Sequence, residues 1–416
     1  MNVLMGLVGI IALLAIAVLL SDNRKAIKVR TVVGAFTIQA AFAAFVLYVP
    51  FGKDVLQAVS SGVQDVINAS QVGVSFLFGP LVSDDMFKVF GSGGFIFALR
   101  VLPIIIFFSS LIAVLYYIGA MQFVINIIGG ALQKALGTSR PESLSATANI
   151  FVGQTEAPLV VRPFVSKMTQ SELFAVMVGG LASVAGSVLA GYAAMGIELK
   201  YLIAASFMAA PGGLLMAKII KPETETPNQD LEQVVDDNED QPANVIDAAA
   251  TGASSGLQLA LNVGAMLLAF IGLIALLNIL LGGIGGWFGM PDLSMQMLLG
   301  YVFAPLAFLM GVPWHEAITA GSFIGQKLIL NEFVAYADFV GKAKELSDHT
   351  QAIITFALCG FANLSSIAIL LGGLGGMAPS RRHDIARMGL KAVAAGSLSN
   401  LMSATLAGLF IALGAH

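Results

Sequence analysis

The chain has little charge and almost no cysteine. Charged residues make up 11% of its 416 residues, whereas a soluble domain carries about 25%. Hydrophobic residues reach 57%, and the mean hydropathy is +0.87. The single cysteine, Cys359, lies within an apolar run, which excludes a disulfide framework and a cysteine-rich metal site. The composition therefore excludes a soluble globular domain and predicts an all-α polytopic membrane protein.

The apolar segments also lack the residues that an intramembrane enzyme needs. They contain no aspartate pair, no HExxH-type helix and no nucleophile placed beside a base. The glycine-rich stretch at residues 282–286 has no lysine of the kind found in phosphate-binding loops and is interpreted as a turn. The sequence therefore predicts that the protein is not an enzyme.

Eight largely apolar stretches are long enough to cross the roughly 30 Å of bilayer hydrocarbon. We predict membrane spans near residues 3–20, 31–50, 93–118, 173–198, 201–220, 256–283, 351–377 and 389–415. The segment 52–90 has mixed polarity and residues 296–312 form a short apolar stretch. Both are predicted to be interfacial helices that lie along the membrane surface.

The distribution of basic residues predicts the orientation. Residues 21–30, after the first span, carry four positive charges, and positive loops favour the cytoplasm. Because each span takes the chain to the other side, the segments 119–172, 221–255 and 378–388 also lie inside. Most of the 21 basic residues are then on one side. We expect a multi-pass protein of the cell (inner) membrane with both termini outside. Residues 221–255, rich in acids, are predicted to be a solvated cytoplasmic linker.

An internal repeat relates residues 119–220 to residues 290–416. The matching segments are 137–146 with 311–320, 151–154 with 323–326, and 180–183 with 360–363. Three spans separate the two hairpin regions, and an odd number inverts the second copy relative to the first, as in secondary transporters. Two re-entrant hairpins are therefore predicted, 138–168 from the cytoplasm and 315–345 from outside, each beside a broken span. Residues 1–118 and 256–283 are predicted to form a scaffold.

Polar residues concentrate at the hairpin tips and span breaks. Carboxylates at membrane depth, here Glu156 and Glu332, are costly and usually functional. The collected side chains are Asn149, Gln154, Thr155, Glu156, Ser183, Ser187, Glu332, Asn363, Ser365 and Ser366. Their amides and hydroxyls, without arginine, suit a neutral polyhydroxylated ligand with amide-like groups, such as a sugar linked to a base. For Ser187 and Ser365, simple helix packing is the alternative interpretation.

Three segments resemble the concentrative nucleoside transporter family in its bacterial, eight-span form. They are Gly-Gln-Thr-Glu-Ala-Pro at 153–158, Gly-Gln-Lys-Leu-Ile-Leu-Asn-Glu-Phe-Val-Ala-Tyr at 325–336, and Phe-Ala-Asn-Leu-Ser-Ser at 361–366. The similarity extends over nearly the whole chain. It implies a homotrimer, embedded in lipid, that moves nucleosides inward with sodium or, in some members, with protons.

The resemblance also implies residue roles. Gln154, Thr155 and Glu156 would contact the nucleobase, with Val188 beside it. Glu332, Asn363 and Ser366 would hold the ribose, with Phe361 packed nearby. Sodium would be bound by the Asn149 and Ser183 side chains and by the carbonyl groups of Val152, Ser183 and Val184. Broken helices expose carbonyl groups that suit sodium, and the presence of Asn149 and Ser183 favours sodium over protons.

The expected function is a sodium-coupled nucleoside symporter that works by alternating access on a uridine-like substrate. Sodium is the coupling ion, and no cofactor or nucleic acid is expected. A proton-coupled symporter, with Glu156 or Glu332 as the proton carrier, remains the first alternative. A channel is a remote alternative, because one carboxylate at each of two opposed hairpins fits a closed site better than a pore ring.

Overall fold

The computed structural model describes residues 2–227 and 242–414, and the regular structure within these ranges is helical. The first half contains α1 Asn2–Leu19, α2 Val29–Leu47, α3 Pro50–Phe78, α4 Asp85–Phe90, α5 Phe97–Arg100, α6 Leu102–Tyr117, α7 Ala120–Leu136, α8 Arg140–Ala148, α9 Arg162–Val165, α10 Gln170–Ala182, α11 Gly186–Ala194 and α12 Leu199–Ile220. The second half contains α13 Val245–Gly286, α14 Met295–Leu309, α15 Trp314–Ile329, α16 Glu332–Lys342, α17 Asp348–Leu358, α18 Ser366–Met377 and α19 Arg382–Gly414. Residues 228–241, the acidic part of the linker, and His416 lie outside the described residues.

The all-α polytopic fold is confirmed. The part of the chain that the structure describes has seven helices long and apolar enough to cross a membrane, or eight if the bent pair α14–α15 counts as one span. Helix α14 corresponds to the short apolar stretch 296–312, and it bends back onto α15 at an angle of 115°. The region Pro50–Phe90 also passes the length and hydropathy test. A surface position for α3 therefore stays a prediction.

The helices form a buried centre and an exposed outer layer. In the apolar windows of α10–α11 and α12, 94% of residues are buried, against 17% in α13. Helices α1 and α2 pack on α19 and α12, whereas α6 runs along α13. The α6–α13 contact is close because Gly252 of α13 lies where a Cβ would be 2.7 Å from the Ser109 carbonyl oxygen. The centre of the bundle is thus built from the two repeats.

Two spans are broken at corresponding places, as predicted. Helix α10 ends at Ala182 because Ser183 has an extended backbone (φ −111°, ψ 174°), and α11 begins at Gly186. Helix α17 ends at Leu358, and α18 begins only at Ser366. The backbone groups released by these breaks need partners within the protein, because lipid supplies none.

Loops predicted to share one side do meet at one face of the bundle, here called the basic face. Asp22 receives a salt bridge from Lys221 at 3.0 Å and another from Lys391. Arg381 donates to the Met168 carbonyl oxygen at 2.6 Å. Partial burial acts to raise the pKa of Asp22, but the ammonium groups of Lys391 and Lys221 hold it below its ordinary value. The ends of α1, α9, α12 and α18 therefore lie together.

The two hairpins enter the bundle from opposite ends. The first starts at the basic face, where Glu142 of α8 pairs with Lys218 at the end of α12. The second starts at the other end, where Glu316 of α15 accepts a hydrogen bond from the Ser347 amide at 2.9 Å, and where His349 contacts the Gly408 carbonyl oxygen near the end of α19. This arrangement is consistent with the predicted inverted repeat.

The hairpins differ in their second arm. Two short helices, α15 and α16, make the second hairpin. In the first, only α8 is a sustained helix, and its return arm is a 3-10 segment Ala157–Val161 followed by the single turn α9. Pro158 and Pro163 lie in this arm. Proline has no N–H and clashes with the preceding turn, so a continuous helix cannot form there. The return arm of the first hairpin is therefore irregular.

A buried ion pair fastens the first hairpin to α12. The Lys218 Nζ lies 2.5 Å from Glu142 Oε2, and the two side chains are 7% and 2% exposed. Removing one partner of a buried pair leaves an uncompensated charge and costs about 3–5 kcal/mol. We expect Lys218→Met to lower the thermal unfolding midpoint of the detergent-purified protein strongly, and Lys218→Met with Glu142→Gln to recover much of the loss.

Lys200→Met is the matched control, because Lys200 of the same helix pairs with Glu198 at the surface. Exposed pairs contribute about 0–1 kcal/mol, so its midpoint should stay near that of the native protein. Equal midpoints for Lys218→Met and Lys200→Met would contradict a structural role for the buried pair.

Candidate functional site

Four non-helical segments converge at the centre of the bundle: the two hairpin tips and the two helix breaks. The Gly186 amide donates to the Phe151 carbonyl oxygen at 2.9 Å, which binds the first tip to the first break. The Leu364 amide donates to the Leu328 carbonyl oxygen at 3.1 Å, which binds the second tip to the second break. One further bond, from the Phe361 amide to the Ser183 carbonyl oxygen at 3.1 Å, joins the two breaks.

Glu332 occupies the first position of helix α16. Asn331 caps this helix, and its side-chain oxygen accepts a hydrogen bond from the Val334 amide at 2.9 Å. Asparagine is a preferred N-cap residue, and a carboxylate is stabilised at a helix N-terminus. The cap explains why asparagine directly precedes the glutamate. Sequence reasoning missed it, although an asparagine before a helix-compatible run was an available signal.

The Glu332 carboxylate is buried and held at both oxygens. Tyr192 of α11 donates its hydroxyl to Oε1 at 3.2 Å, and Asn363 donates its amide to Oε2 at 3.1 Å. The Tyr192 ring is fully buried and lies 4.8 Å from the ring of Phe333 and 4.6 Å from that of Tyr336. Tyr192 thus fixes the carboxylate from the other repeat. It was not among the predicted site residues.

Asn363 organises the second break. Its side-chain oxygen accepts hydrogen bonds from the Ser366 amide at 2.9 Å and from the Ser365 hydroxyl at 2.7 Å. The Ser366 hydroxyl lies 2.6 Å from the Phe361 carbonyl oxygen, to which it donates. The structure therefore brings the four residues expected at the ribose, Glu332, Asn363, Ser366 and Phe361, into one hydrogen-bonded group. Ser365 belongs to the same group.

The first hairpin tip presents Gln154, Thr155 and Glu156. Gln154 is 6% exposed, and its side-chain oxygen has no hydrogen-bond partner among the described residues. It packs on Gly180, where an added Cβ would lie 2.8 Å from the Gln154 Cβ. Thr155 faces α18 and contacts Gly373. The tip therefore rests on α10 and α18, one helix of each repeat.

Glu156 is exposed, in contrast to Glu332. Its carboxylate folds back and accepts a hydrogen bond from the Gly153 amide at 2.6 Å. Val188 and Ser187 lie in the first turn of α11, directly after the first break, and both are buried. These positions agree with a site whose first-hairpin side is formed by the tip and α11.

The residues expected at sodium meet where α8 and α10 end. Asn149 donates to the Ser145 carbonyl oxygen at 2.9 Å, and its own Oδ1 has no hydrogen-bond partner within residues 2–227 and 242–414. The Ser183 hydroxyl bonds the Gly179 carbonyl oxygen at 2.9 Å. Gly179 also touches Asn149, since an added Cβ would lie 3.1 Å from its Nδ2. Val152 and Val184 flank this point and are buried.

An unpartnered buried oxygen is costly, about 1–3 kcal/mol. A bound cation would supply the missing partner of Asn149 Oδ1, and the ligands on offer are neutral oxygens of the kind that sodium accepts. This donor set fits sodium. Lys327, the cation nearest to the site in sequence, is directed elsewhere and donates to the Ala357 carbonyl oxygen at 2.8 Å.

Inverted repeats, broken helices and opposed hairpins that meet at a buried polar site define a secondary transporter. The chain matches three family descriptions in succession: Na+ dependent nucleoside transporter N-terminus at residues 8–81, Nucleoside recognition (Gate) at 98–198, and Na+ dependent nucleoside transporter C-terminus at 201–408. The chain belongs to the family of Na+ dependent nucleoside transporters, which are transporters and not enzymes.

Relatives and solved structures are similar to this chain over nearly its full length. The chain is 62% identical to an uncharacterized transporter of Haemophilus influenzae, covering 100% of this chain and 99% of that protein. It is 56% identical to the nucleoside permease NupC of Helicobacter pylori, covering 99% of each. The structure of CNTnw in an inward-facing substrate-bound state is 64% identical, covers 100% of both chains and has a TM-score of 0.96. For a doubly substituted CNTnw in an outward-facing state, the TM-score is 0.98, and the match covers 99% of each chain.

Proposed function

We propose that this nucleoside transporter is a sodium-coupled symporter that imports its substrate by alternating access. The observation that carries the proposal is the convergence of both hairpin tips and both helix breaks on one polar site. Hairpins from opposite ends of the bundle can open the same site in turn to either side of the membrane. The family membership supports a nucleoside as the substrate and sodium as the ion.

The ligand contacts divide between the two repeats. The buried Glu332 carboxylate and Asn363 are placed to accept and donate hydrogen bonds at the vicinal hydroxyls of a ribose. Ser366 and Phe361 complete this half of the site. Gln154, with a free side-chain oxygen, pairs with the amide-like edge of a base, and Thr155, Glu156 and Val188 surround it. A uridine-like nucleoside has both kinds of group.

Sodium is proposed to bind at the first break, between Asn149 and Ser183. The side chains of these two residues and the carbonyl groups of Val152, Ser183 and Val184 supply the oxygens. The Ser183 carbonyl already accepts a hydrogen bond from Phe361, so the ion would contact the segment that carries the ribose residues. Inward sodium movement is worth about 2.3 kcal/mol per charge per 100 mV, enough to drive accumulation with one ion.

The proton-coupled symporter is the second candidate, favoured by the burial of Glu332 at the centre of the site. In this mechanism Glu332 or Glu156 would carry the proton. It differs from the sodium mechanism in its dependence on the external ion and on pH, and these are directly measurable.

Replacing sodium by choline at fixed pH separates the two mechanisms. In proteoliposomes with an inside-negative potential, we expect uptake of labelled uridine to be saturable, to accumulate against its gradient and to fall to the level of empty liposomes in choline. Uptake that is unchanged in choline but rises as the external pH falls would instead establish proton coupling. Uptake that never exceeds equilibration would indicate a channel.

The membrane setting is part of the proposal. The basic face is assigned to the cytoplasm by the positive-inside rule, which puts both termini outside in the cell membrane. A homotrimer, with α6 and α13 in a scaffold, fits the large exposed apolar surface of α13. A competition panel of uridine, cytidine, adenosine, guanosine and inosine against labelled uridine would define the base preference.

A further inference from the structure

A polar node, formed by Asn400 and Lys327, joins α19 to the second hairpin and to both helix breaks. Asn400 in the middle of α19 donates from Nδ2 to the Ala182 carbonyl oxygen at 2.6 Å and to the Cys359 carbonyl oxygen at 2.9 Å. Its Oδ1 accepts a hydrogen bond from Lys327 Nζ at 2.6 Å. Lys327, in turn, also donates to the Ala357 carbonyl oxygen at 2.8 Å. Every polar atom of the Asn400 side chain is used.

Three of the four bonds go to carbonyl groups at the broken helix ends, and the fourth joins Lys327 to Asn400. Ala182 is the last residue of α10, Ala357 lies next to the last residue of α17, and Cys359 caps α17. Carbonyl groups at a helix C-terminus lack intrahelical partners and carry partial negative charge. The Asn400 amide and the Lys327 ammonium group donate hydrogen bonds to them here. One side chain of α19 thus holds the ends of both half-helices.

Glycines allow this close approach. A Cβ at Gly360 would lie 2.3 Å from Asn400 Oδ1, and a Cβ at Gly396 would lie 2.9 Å from the Leu181 Cβ. Lys327 and Asn400 are only 4% and 2% exposed. A buried ammonium group is expensive unless it is fully hydrogen-bonded, so a lysine at this place calls for an explanation beyond packing.

The node connects the two binding regions. Ser183, proposed to bind sodium, directly follows Ala182. Asn363, proposed to bind the ribose, follows Cys359 by four residues in the same break. A shift of one helix end would have to move Asn400 and, through it, the other. Among the residues that the structure describes, the hydrogen bonds of Lys327 and Asn400 go to one another and to helix-end carbonyl groups, and to no residue assigned to the nucleoside or to sodium.

We propose that Lys327 and Asn400 are positioning residues that couple the sodium site to the nucleoside site. They keep the two helix breaks in a fixed mutual geometry, so that sodium binding at the first break arranges the second for the nucleoside. The inference rests on the sodium-coupled function proposed above. Such coupling is reciprocal and commonly amounts to about 5–150-fold in affinity.

The test is the coupling ratio, the uridine dissociation constant in choline divided by that in saturating sodium. It is measured by titration calorimetry on the purified full-length protein, and reciprocally from sodium titrations with and without uridine. In the native protein we expect a ratio of about tenfold or more. Three substitutions are tested: Asn400→Asp, Asn400→Ser and Lys327→Met. In each variant we expect uridine still to bind and the coupling ratio to fall to about three or less.

The substitutions remove different bonds. Asn400→Asp keeps an acceptor for Lys327 but loses both donors to the helix ends. Lys327→Met keeps the apolar stem and loses the ammonium group. Asn400→Ser also removes the amide but adds no charge, and it serves as the second variant in case Asn400→Asp does not fold. Thr405→Ala is the matched control, since Thr405 lies on the same buried helix and its hydroxyl bonds only the Leu401 carbonyl oxygen of its own helix.

The outcomes are distinguishable. A native ratio near one would overturn the sodium-coupled function itself. A native ratio of tenfold that is kept in folded Asn400 and Lys327 variants would overturn the positioning role and leave the function intact. Variants that lose thermal stability and affinity while keeping the native ratio would show that the node is structural only. Loss of coupling in the variants but not in Thr405→Ala supports the proposal.

Discussion

Glu332→Ala is expected to abolish nucleoside binding and uptake. The native carboxylate is buried and accepts hydrogen bonds from Tyr192 and Asn363, and in the proposed complex it faces the ribose hydroxyls. Hydrogen bonds to a charged group contribute about 1.5–3 kcal/mol each. Losing two such bonds to the sugar corresponds to at least about a hundredfold in affinity. Binding is measured by calorimetry and uptake in proteoliposomes.

Two further substitutions make the result specific. Glu332→Gln keeps one acceptor oxygen and most of the volume, so an intermediate loss is expected. Glu345→Gln removes an exposed carboxylate at the end of the same hairpin and should leave uptake unchanged. Assembly is checked by size-exclusion chromatography. Uptake by a correctly assembled Glu332→Ala protein at near the native rate would refute the ribose role.

Asn149→Ala is expected to raise the sodium concentration for half-maximal uptake by at least about tenfold. The substitution removes the unpartnered Oδ1 that is proposed to bind the ion, and one lost ion–oxygen contact of about 1.4 kcal/mol or more is a tenfold change. At saturating sodium the uridine affinity should change much less, because Asn149 does not contact the nucleoside in the proposed site.

The sodium dependence of initial uptake rates provides the measurement. Asn68→Ala, at an exposed asparagine of α3, is the control and should keep the native dependence. If Asn149→Ala and Asn68→Ala have the same half-maximal sodium concentration, Asn149 does not belong to the ion site. The carbonyl groups of Val152 and Val184 cannot be tested in this way, because every residue at these positions provides one.

The sequence predicts the architecture well because membrane helices must satisfy their own backbone. Long apolar stretches therefore predict membrane spans. The repeat between the segments at 137–146 and 311–320 predicts the inverted arrangement of the hairpins. The polar strings around Gln154 and Glu332 stand out for the same reason, since polar groups are expensive at membrane depth. The central part of the fold follows from these two signals.

Two features that sequence reasoning missed, the Tyr192 contact and the Lys327–Asn400 contact, join distant parts of the chain. Tyr192 and Glu332 are 140 positions apart, and Lys327 and Asn400 are 73 apart. Tyr192 and Asn400 each lie in largely apolar helices, where a single polar residue has several possible roles. The irregular arm of the first hairpin is a local feature, and Pro158 and Pro163 were sufficient to predict it.

The position of Lys327 also limits the symmetry of the molecule. The repeat aligns residues 323–326 with 151–154, so Lys327 stands opposite Thr155, a short neutral side chain. Two identical halves would bring either two ammonium groups or none to the central helix ends. The arrangement of the helices therefore follows the repeat, whereas the polar side chains at the central helix ends do not. At this pair of aligned positions the first half contributes Thr155 and the second contributes Lys327.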